Sequence, residues 1–182
     1  MLNPQLEITG PRQIRLIDGG MPVLGPRELR IRTSHSLISA GIEGASYLGR
    51  PWLRDDGAQM PTYPTRTGYS NVGVVVEVGA QVERFAVGDR VASAGEHGQY
   101  VVVNEGAEAL WQVPFGVGDE EATFTTLAAT VLNGVRIGWP QLGDCVAVVG
   151  LGVLGQLACQ YLRLGTPRPL VGVDLDQSRV NL

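Results

Sequence analysis

The 182-residue chain carries 14 basic and 18 acidic side chains, a formal net charge of −4, with 44% hydrophobic and 6% aromatic residues. That is the composition of a globular protein with enough core for one or two domains. It excludes the basic stripe of a nucleic-acid binder, the roughly 20-residue apolar run of a membrane span, and, with only Cys145 and Cys159, a disulfide framework or cysteine-rich metal site.

All the basic residues are arginine. A catalytic lysine, a Schiff base and the lysine of a phosphate-binding P-loop are therefore excluded. Residues 1–5 show neither the basic start nor the apolar stretch of a signal peptide, so a cytoplasmic protein is expected.

The first hundred residues read as β structure. Residues 7–9 and 13–17 alternate on either side of Gly10-Pro11, and 28–32 alternate strictly, with room to continue toward Leu37 and Ile38. Residues 50–67, with Pro51, Pro61 and Pro64, read as a loop. A buried strand follows Gly68 and closes at Gly79; Val82, Phe85 and Val87 are expected to point inward. Further strands are predicted at 90–91, 99–103 and 110–113, and so many short strands suggest a small barrel or sandwich. The pattern changes at Pro114. Asp119, Glu120 and Glu121 precede a mostly buried helix over 122–135. Then come a fully buried strand at 145–149, a helix at 156–164 and a second buried strand at 170–173, the β-α-β start of a parallel sheet. Cys145 and Cys159 read as inert packing residues.

Between the first of those strands and its helix stands Gly150-Leu151-Gly152-Val153-Leu154-Gly155. The GxGxxG spacing is weak alone and strong in this context. Gly150 permits a tight turn, Gly152 leaves the backbone open to a pyrophosphate, and Gly155 lets helix and strand approach. Val153 and Leu154 supply amides at the positive end of the helix. Asp174 lies 19 residues after Gly155, placed to accept hydrogen bonds from ribose hydroxyls and to repel a 2′-phosphate. NAD(H) is thus favoured over NADP(H). Arg179 can cover the adenine side or offset part of that repulsion. The alternative is a glycine-rich turn with no ligand.

The chain resembles the medium-chain dehydrogenase/reductase family on four segments: Gly73 to Gly79 with Val82 and Val87-Gly88-Asp89-Arg90-Val91; Val113-Pro114 leading to Glu120-Glu121-Ala122; Leu127-Ala128-Ala129-Thr130 with Asn133-Gly134-Val135; and Gly143-Asp144 leading into the glycine turn and Val173-Asp174. The resemblance implies an α/β protein with a β-rich N-terminal domain, a GroES-like β-barrel over 1–118. A connecting helix at 119–140 and the first βαβ unit of a Rossmann dinucleotide-binding domain over 141–182 would follow. It implies an active site between the two domains and hydride exchange with a nicotinamide. The three positions where zinc-dependent members hold the metal read Ser39 or Ala40, Tyr69 and Thr126. Zinc wants thiolate, imidazole or carboxylate, so no zinc is expected. The string around Ile38, Ser39, Gly41 and Glu43, with Gly68-Tyr69-Ser70-Asn71-Val72-Gly73 and Glu96-His97-Gly98-Gln99-Tyr100, resembles a bacterial subgroup with varied, often biosynthetic, substrates.

Without a metal, a developing alkoxide or enolate needs hydrogen-bond donors or a general acid. Tyr69 is the first candidate, with Ser39 and Thr126 positioning a carbonyl. His97 suits a proton relay or substrate contact, with a surface or capping role as the alternative. Glu43 can orient a neighbour or be simply solvated or salt-bridged. Thr130 matches a nicotinamide contact, or is a helix threonine bonded to its own backbone. His35 reads as structural, and Trp52 can line a substrate pocket or pin its loop.

A complete dinucleotide fold needs about six parallel strands, and two are predicted. The 182 residues by themselves are expected to be inactive. The leading expectation is a zinc-independent NAD(P)-dependent oxidoreductase acting on an alcohol, carbonyl or activated alkene of a small molecule, homo-oligomeric at full length, with no nucleic-acid or membrane partner. The rival is a redox-inactive member serving as a cyclase, an isomerase-like catalyst or a non-catalytic partner in biosynthesis. A third possibility is an unfamiliar zinc site using His97, Glu43 or Glu96.

Overall fold

The computed structural model describes residues 2–54, 57–165 and 169–182, with the side chains of 52–54 outside the description. The chain divides into two compact units, Met1–Thr126 and Leu127–Leu182.

The first unit is built of antiparallel strands. β1 (Pro4–Gly10) and β2 (Gln13–Asp18) form a hairpin, and β3 (Glu28–Ser36) leads into the short helix α1 (Ile42–Leu48). β4 (Trp52–Arg54), β5 (Gly57–Gln59) and β6 (Thr65–Arg66) follow. Then come β7 (Asn71–Val78), β8 (Arg90–Ser93), β9 (Tyr100–Asn104), β10 (Leu110–Gln112) and α2 (Asp119–Ala122). One sheet has the order β10-β8-β7-β3-β9, a second β2-β1-β6, and β4 pairs with β5. Backbone bonds from Leu6 to His97 and from Gln99 to Pro4 stitch β1 to the approach of β9 and curl the two sheets toward one another. Alternation in β3 puts Leu29 and Ile31 into a fully buried cluster with Val75 and Val91, backed by Phe85, Val101 and Leu110. Such burial contributes roughly 1.5–3 kcal/mol per large apolar side chain.

In the second unit α3 (Thr125–Gly138) carries the chain to β11 (Val146–Val149), α4 (Val153–Gly165), β12 (Leu170–Val173) and α5 (Gln177–Val180). β11 and β12 pair in parallel, Val146 with Leu170 through Val149 with Val173. No described helix is long and apolar enough to cross a membrane.

Several expectations are corrected. The 50–67 segment contains three short strands; its prolines bracket them instead of abolishing them. α1 was not predicted. Gly49, at φ 67, ends it in the left-handed conformation that favours glycine. The helix expected over 122–135 is two helices, with Thr123 and Phe124 between them, and α3 buries only Leu127. β11 and β12 are not fully buried: Val149 is 83% exposed and Cys145 is exposed, because two strands backed by one helix cannot cover both faces. Val87 is also exposed; it lies in a turn where the Asp89 carboxylate accepts the Ala86 N–H. α4 begins at Val153, three residues earlier than predicted.

Candidate functional site

The glycine turn joins β11 to α4. Gly150 adopts φ 92, a conformation that suits glycine. A Cβ on Gly155 would lie 1.8 Å from the Gly150 carbonyl oxygen, so helix and turn approach as only glycine allows. A Cβ on Gly152 would meet nothing within 4 Å, so its backbone faces open space. The amides of Gly152, Val153 and Leu154 open α4, where N–H groups lack acceptors within the helix. The first helical bond of this turn runs from the Gln156 N–H to the Gly152 carbonyl, 2.9 Å.

Asp174 organises this turn, a role not foreseen in the sequence. Its Oδ2 accepts the Leu151 N–H at 2.6 Å and its Oδ1 the Asp176 N–H at 2.8 Å. These bonds, that from Asp176 first, hold its carboxyl below the usual range. Arg179 stands 3.7 Å from Asp174 Oδ2 and 3.7 Å from Asp176. A pocket of about 770 Å³ opens beside the turn, lined by Val149, Gly150, Val173, Asp174, Gln177 and Arg179 among others. A second pocket of similar size also borders β11, with Val146, Val148, Leu154 and Leu162 in its wall. The first brings Gly150 of the glycine turn together with the Asp174 carboxylate, the two features a dinucleotide calls for.

In the first unit, β3 and β7 pair up to Ser36 opposite Asn71, and the Leu37 N–H donates to the Ser70 carbonyl at 2.8 Å. The segments bearing Ser39 and Tyr69 therefore leave the same end of the sheet. Gly68, at φ 114, presses the Tyr69 segment against His97; a Cβ there would lie 2.4 Å from the His97 nitrogen. Tyr69 is half-buried, and its hydroxyl, like that of Ser39, bonds to nothing among the described residues. The Ser70 hydroxyl, 2% exposed, is also without a partner among them. A buried hydroxyl without a partner in a native fold calls for water or a ligand.

Glu43 and His97, each 5% exposed, form the polar centre of this region. Glu43 Oε1 lies 2.7 Å from His97 Nε2 and accepts the Thr67 hydroxyl at 2.6 Å, while Oε2 accepts the Ser39 N–H at 2.7 Å. His97 Nδ1 is 2.8 Å from the Ser36 hydroxyl. Burial pushes the Glu43 carboxyl up, but the bonds from His97, Thr67 and Ser39 together outweigh it and hold the group below its ordinary value. His97 is thus not a surface or capping residue. Its Nε2 faces Glu43, whereas Glu96 reaches toward Arg66. Among the described residues no three histidine, cysteine or acidic side chains cluster as metal ligands.

Thr126 is half-buried at the start of α3, and Thr130, farther along it, is exposed. His35 is exposed, 4.0 Å from Asp119 and 3.9 Å from Glu120. Cys159 lies half-buried on α4. The Trp52 side chain lies outside the described residues. Ser36 and Thr67, partners of His97 and Glu43, were missed, since nothing in their local sequence marks them.

The family model for the alcohol dehydrogenase GroES-like domain matches residues 36–168. The chain is 29% identical to D-guloside 3-dehydrogenase of Escherichia coli, over 85% of this chain and 45% of that protein. It is 28% identical to (R,R)-butanediol dehydrogenase of Bacillus subtilis, over 92% and 57%. It spans about half the length of these curated relatives. The fold is similar to that of the B. subtilis 2R,3R-butanediol dehydrogenase (24% identity, TM-score 0.82, covering 98% of this chain and 60% of that one). It is likewise similar to an E. coli alcohol dehydrogenase solved with NADH (22% identity, TM-score 0.85, 100% and 59%). From the GroES-like match and the curled β unit followed by a glycine-turn βαβ, the chain belongs to the medium-chain dehydrogenase/reductase family.

Proposed function

We propose that the protein is a nicotinamide-dependent, zinc-independent oxidoreductase acting on an alcohol, a carbonyl or an activated alkene of a small molecule. The observation that carries this reading is the glycine turn: Gly150 in the left-handed region, Gly152 open, Gly155 in backbone contact, and Asp174 bordering the adjoining pocket. The names of the dehydrogenase relatives support it. When bound, the nicotinamide supplies a hydride donor or acceptor. The amides of Gly152, Val153 and Leu154 would hold the diphosphate, and Asp174, with a lone pair left on each oxygen, the ribose. Arg179 shields part of the Asp174 charge, so preference for NAD(H) over NADP(H) is moderate.

Zinc independence rests on the side chains at the family's metal positions. Ser39, Tyr69 and Thr126 are not ligands a zinc ion would choose at neutral pH. Tyr69 would donate its phenolic proton to the developing oxyanion, and the Ser39 hydroxyl would orient the reacting oxygen. Glu43 and His97 act behind them: Glu43 fixes the Ser39 backbone, and the His97 imidazole, between Glu43 and Ser36, can hold or pass a proton.

The test is a fluorescence titration of NADH into the protein, repeated with NADPH and with Asp174→Asn. NADH should bind more tightly than NADPH. Asp174→Asn should narrow the ratio about tenfold, a change of about 1.4 kcal/mol. Absence of NADH binding contradicts the dinucleotide reading. Hydride transfer to or from an alcohol, carbonyl or alkene would exclude a redox-inactive member.

A further inference from the structure

We propose that the first unit carries a second ligand site, between the β1–β2 hairpin and α1, for a small molecule with an apolar body and an anionic head that pairs with Arg12. A pocket of about 480 Å³ opens there. Ile8, Ile14, Ile38 and Tyr47 give it apolar walls, and the last three are exposed where they border it. Arg12 lines the same pocket, and its guanidinium has neither an ion pair nor a hydrogen bond among the described residues.

The backbone supplies a second observation. Arg12 follows Pro11 in the hairpin turn and has φ 60, where glycine or asparagine is the ordinary choice. Its N–H donates to the Tyr47 carbonyl at 2.6 Å, so α1 holds the strained residue at the pocket. A non-glycine side chain kept in this conformation, with its charge unpaired, points to a use for that side chain. Glu43 is the carboxylate of the lining, and both its oxygens are turned to Ser39, Thr67 and His97. Arg12 is therefore the charged side chain of the lining left without a hydrogen-bond partner among the described residues. An amphiphilic anion would meet apolar area and a charge-assisted hydrogen bond together.

The experiment compares 1-anilinonaphthalene-8-sulfonate with uncharged N-phenyl-1-naphthylamine, each titrated by fluorescence into the protein, Arg12→Gly, Ile14→Glu and Asp174→Asn. Arg12→Gly should weaken the sulfonate about tenfold. It should leave the neutral dye unchanged and raise the thermal midpoint, because glycine accepts the turn's φ without strain. Ile14→Glu should weaken both dyes. Asp174→Asn, which tests the dinucleotide reading, should affect neither. Four results overturn the proposal: sulfonate affinity unchanged in Arg12→Gly; equal loss of both dyes in that variant; dye binding that follows Asp174→Asn; or binding that disappears as protein concentration rises, which would mean that a second copy covers the pocket.

Discussion

The two units bury their carboxylates by different means. Of the fifteen buried apolar residues among the described residues, twelve lie in Met1–Thr126 and three in Leu127–Leu182. In the first unit Glu43 is itself buried and pairs with a buried imidazole, tying the segments of Ser36, Ser39, Thr67 and His97 together. In the second, Asp174 accepts hydrogen bonds from the backbone amides of Leu151 and Asp176, with Arg179 at 3.7 Å. One site is held by a buried carboxylate–imidazole hydrogen bond, the other by glycine geometry and main-chain hydrogen bonds. The first should fail through a lost partner, the second through an added atom.

The largest expected effect follows from removing one member of the buried pair. His97→Ala leaves the buried Glu43 carboxylate without its imidazole hydrogen bond and should cost about 3–5 kcal/mol, read by urea unfolding of the first unit. A cost below about 1 kcal/mol would mean that water already reaches the pair. Next is the contrast in packing. Leu29, fully buried, should lose about 2–5 kcal/mol on truncation to alanine. Leu164, 82% exposed, should change by no more than about 0.5 kcal/mol. Equal costs would erase the difference between the units.

Gly155→Val places atoms into the Gly150 carbonyl and should cost about 1–3 kcal/mol. The variant should lose NADH binding while the first unit's unfolding is unchanged. The smallest effect concerns acid. The Glu43 carboxyl lies below its ordinary value of 4.5, so its contribution to stability is complete above that pH and lost as pH falls through the lower, folded-state value. Glu43→Gln should flatten that part of the stability–pH curve; an unchanged curve would assign the acid sensitivity to other carboxylates.

Much of this was legible in the residues. Alternation in 28–32 marks β3 correctly because Leu29 and Ile31 face a core that shields one side only. The glycine turn is legible because each glycine answers a separate steric demand. Local pattern does not reveal how much of a strand is covered. Val146 to Val149 read as buried on composition, yet β11 has one strand neighbour and exposes Val149. Nor does it show contacts formed at long range. Glu43 and His97 are 54 residues apart, and their meeting depends on the close packing of Gly68 on His97 and the bond from Thr67 to Glu43, neither of which local pattern shows. The short helix α1 was hidden for a related reason, since seven residues carry too little periodicity to announce a helix.

The most direct test of the dinucleotide reading is amide hydrogen exchange across residues 150–156 with and without saturating NADH. Slowed exchange at Gly152, Val153 and Leu154, reversed in Gly155→Val, is the predicted result. Exchange at these amides unaffected by NADH, with protection arising elsewhere in the chain, would contradict it.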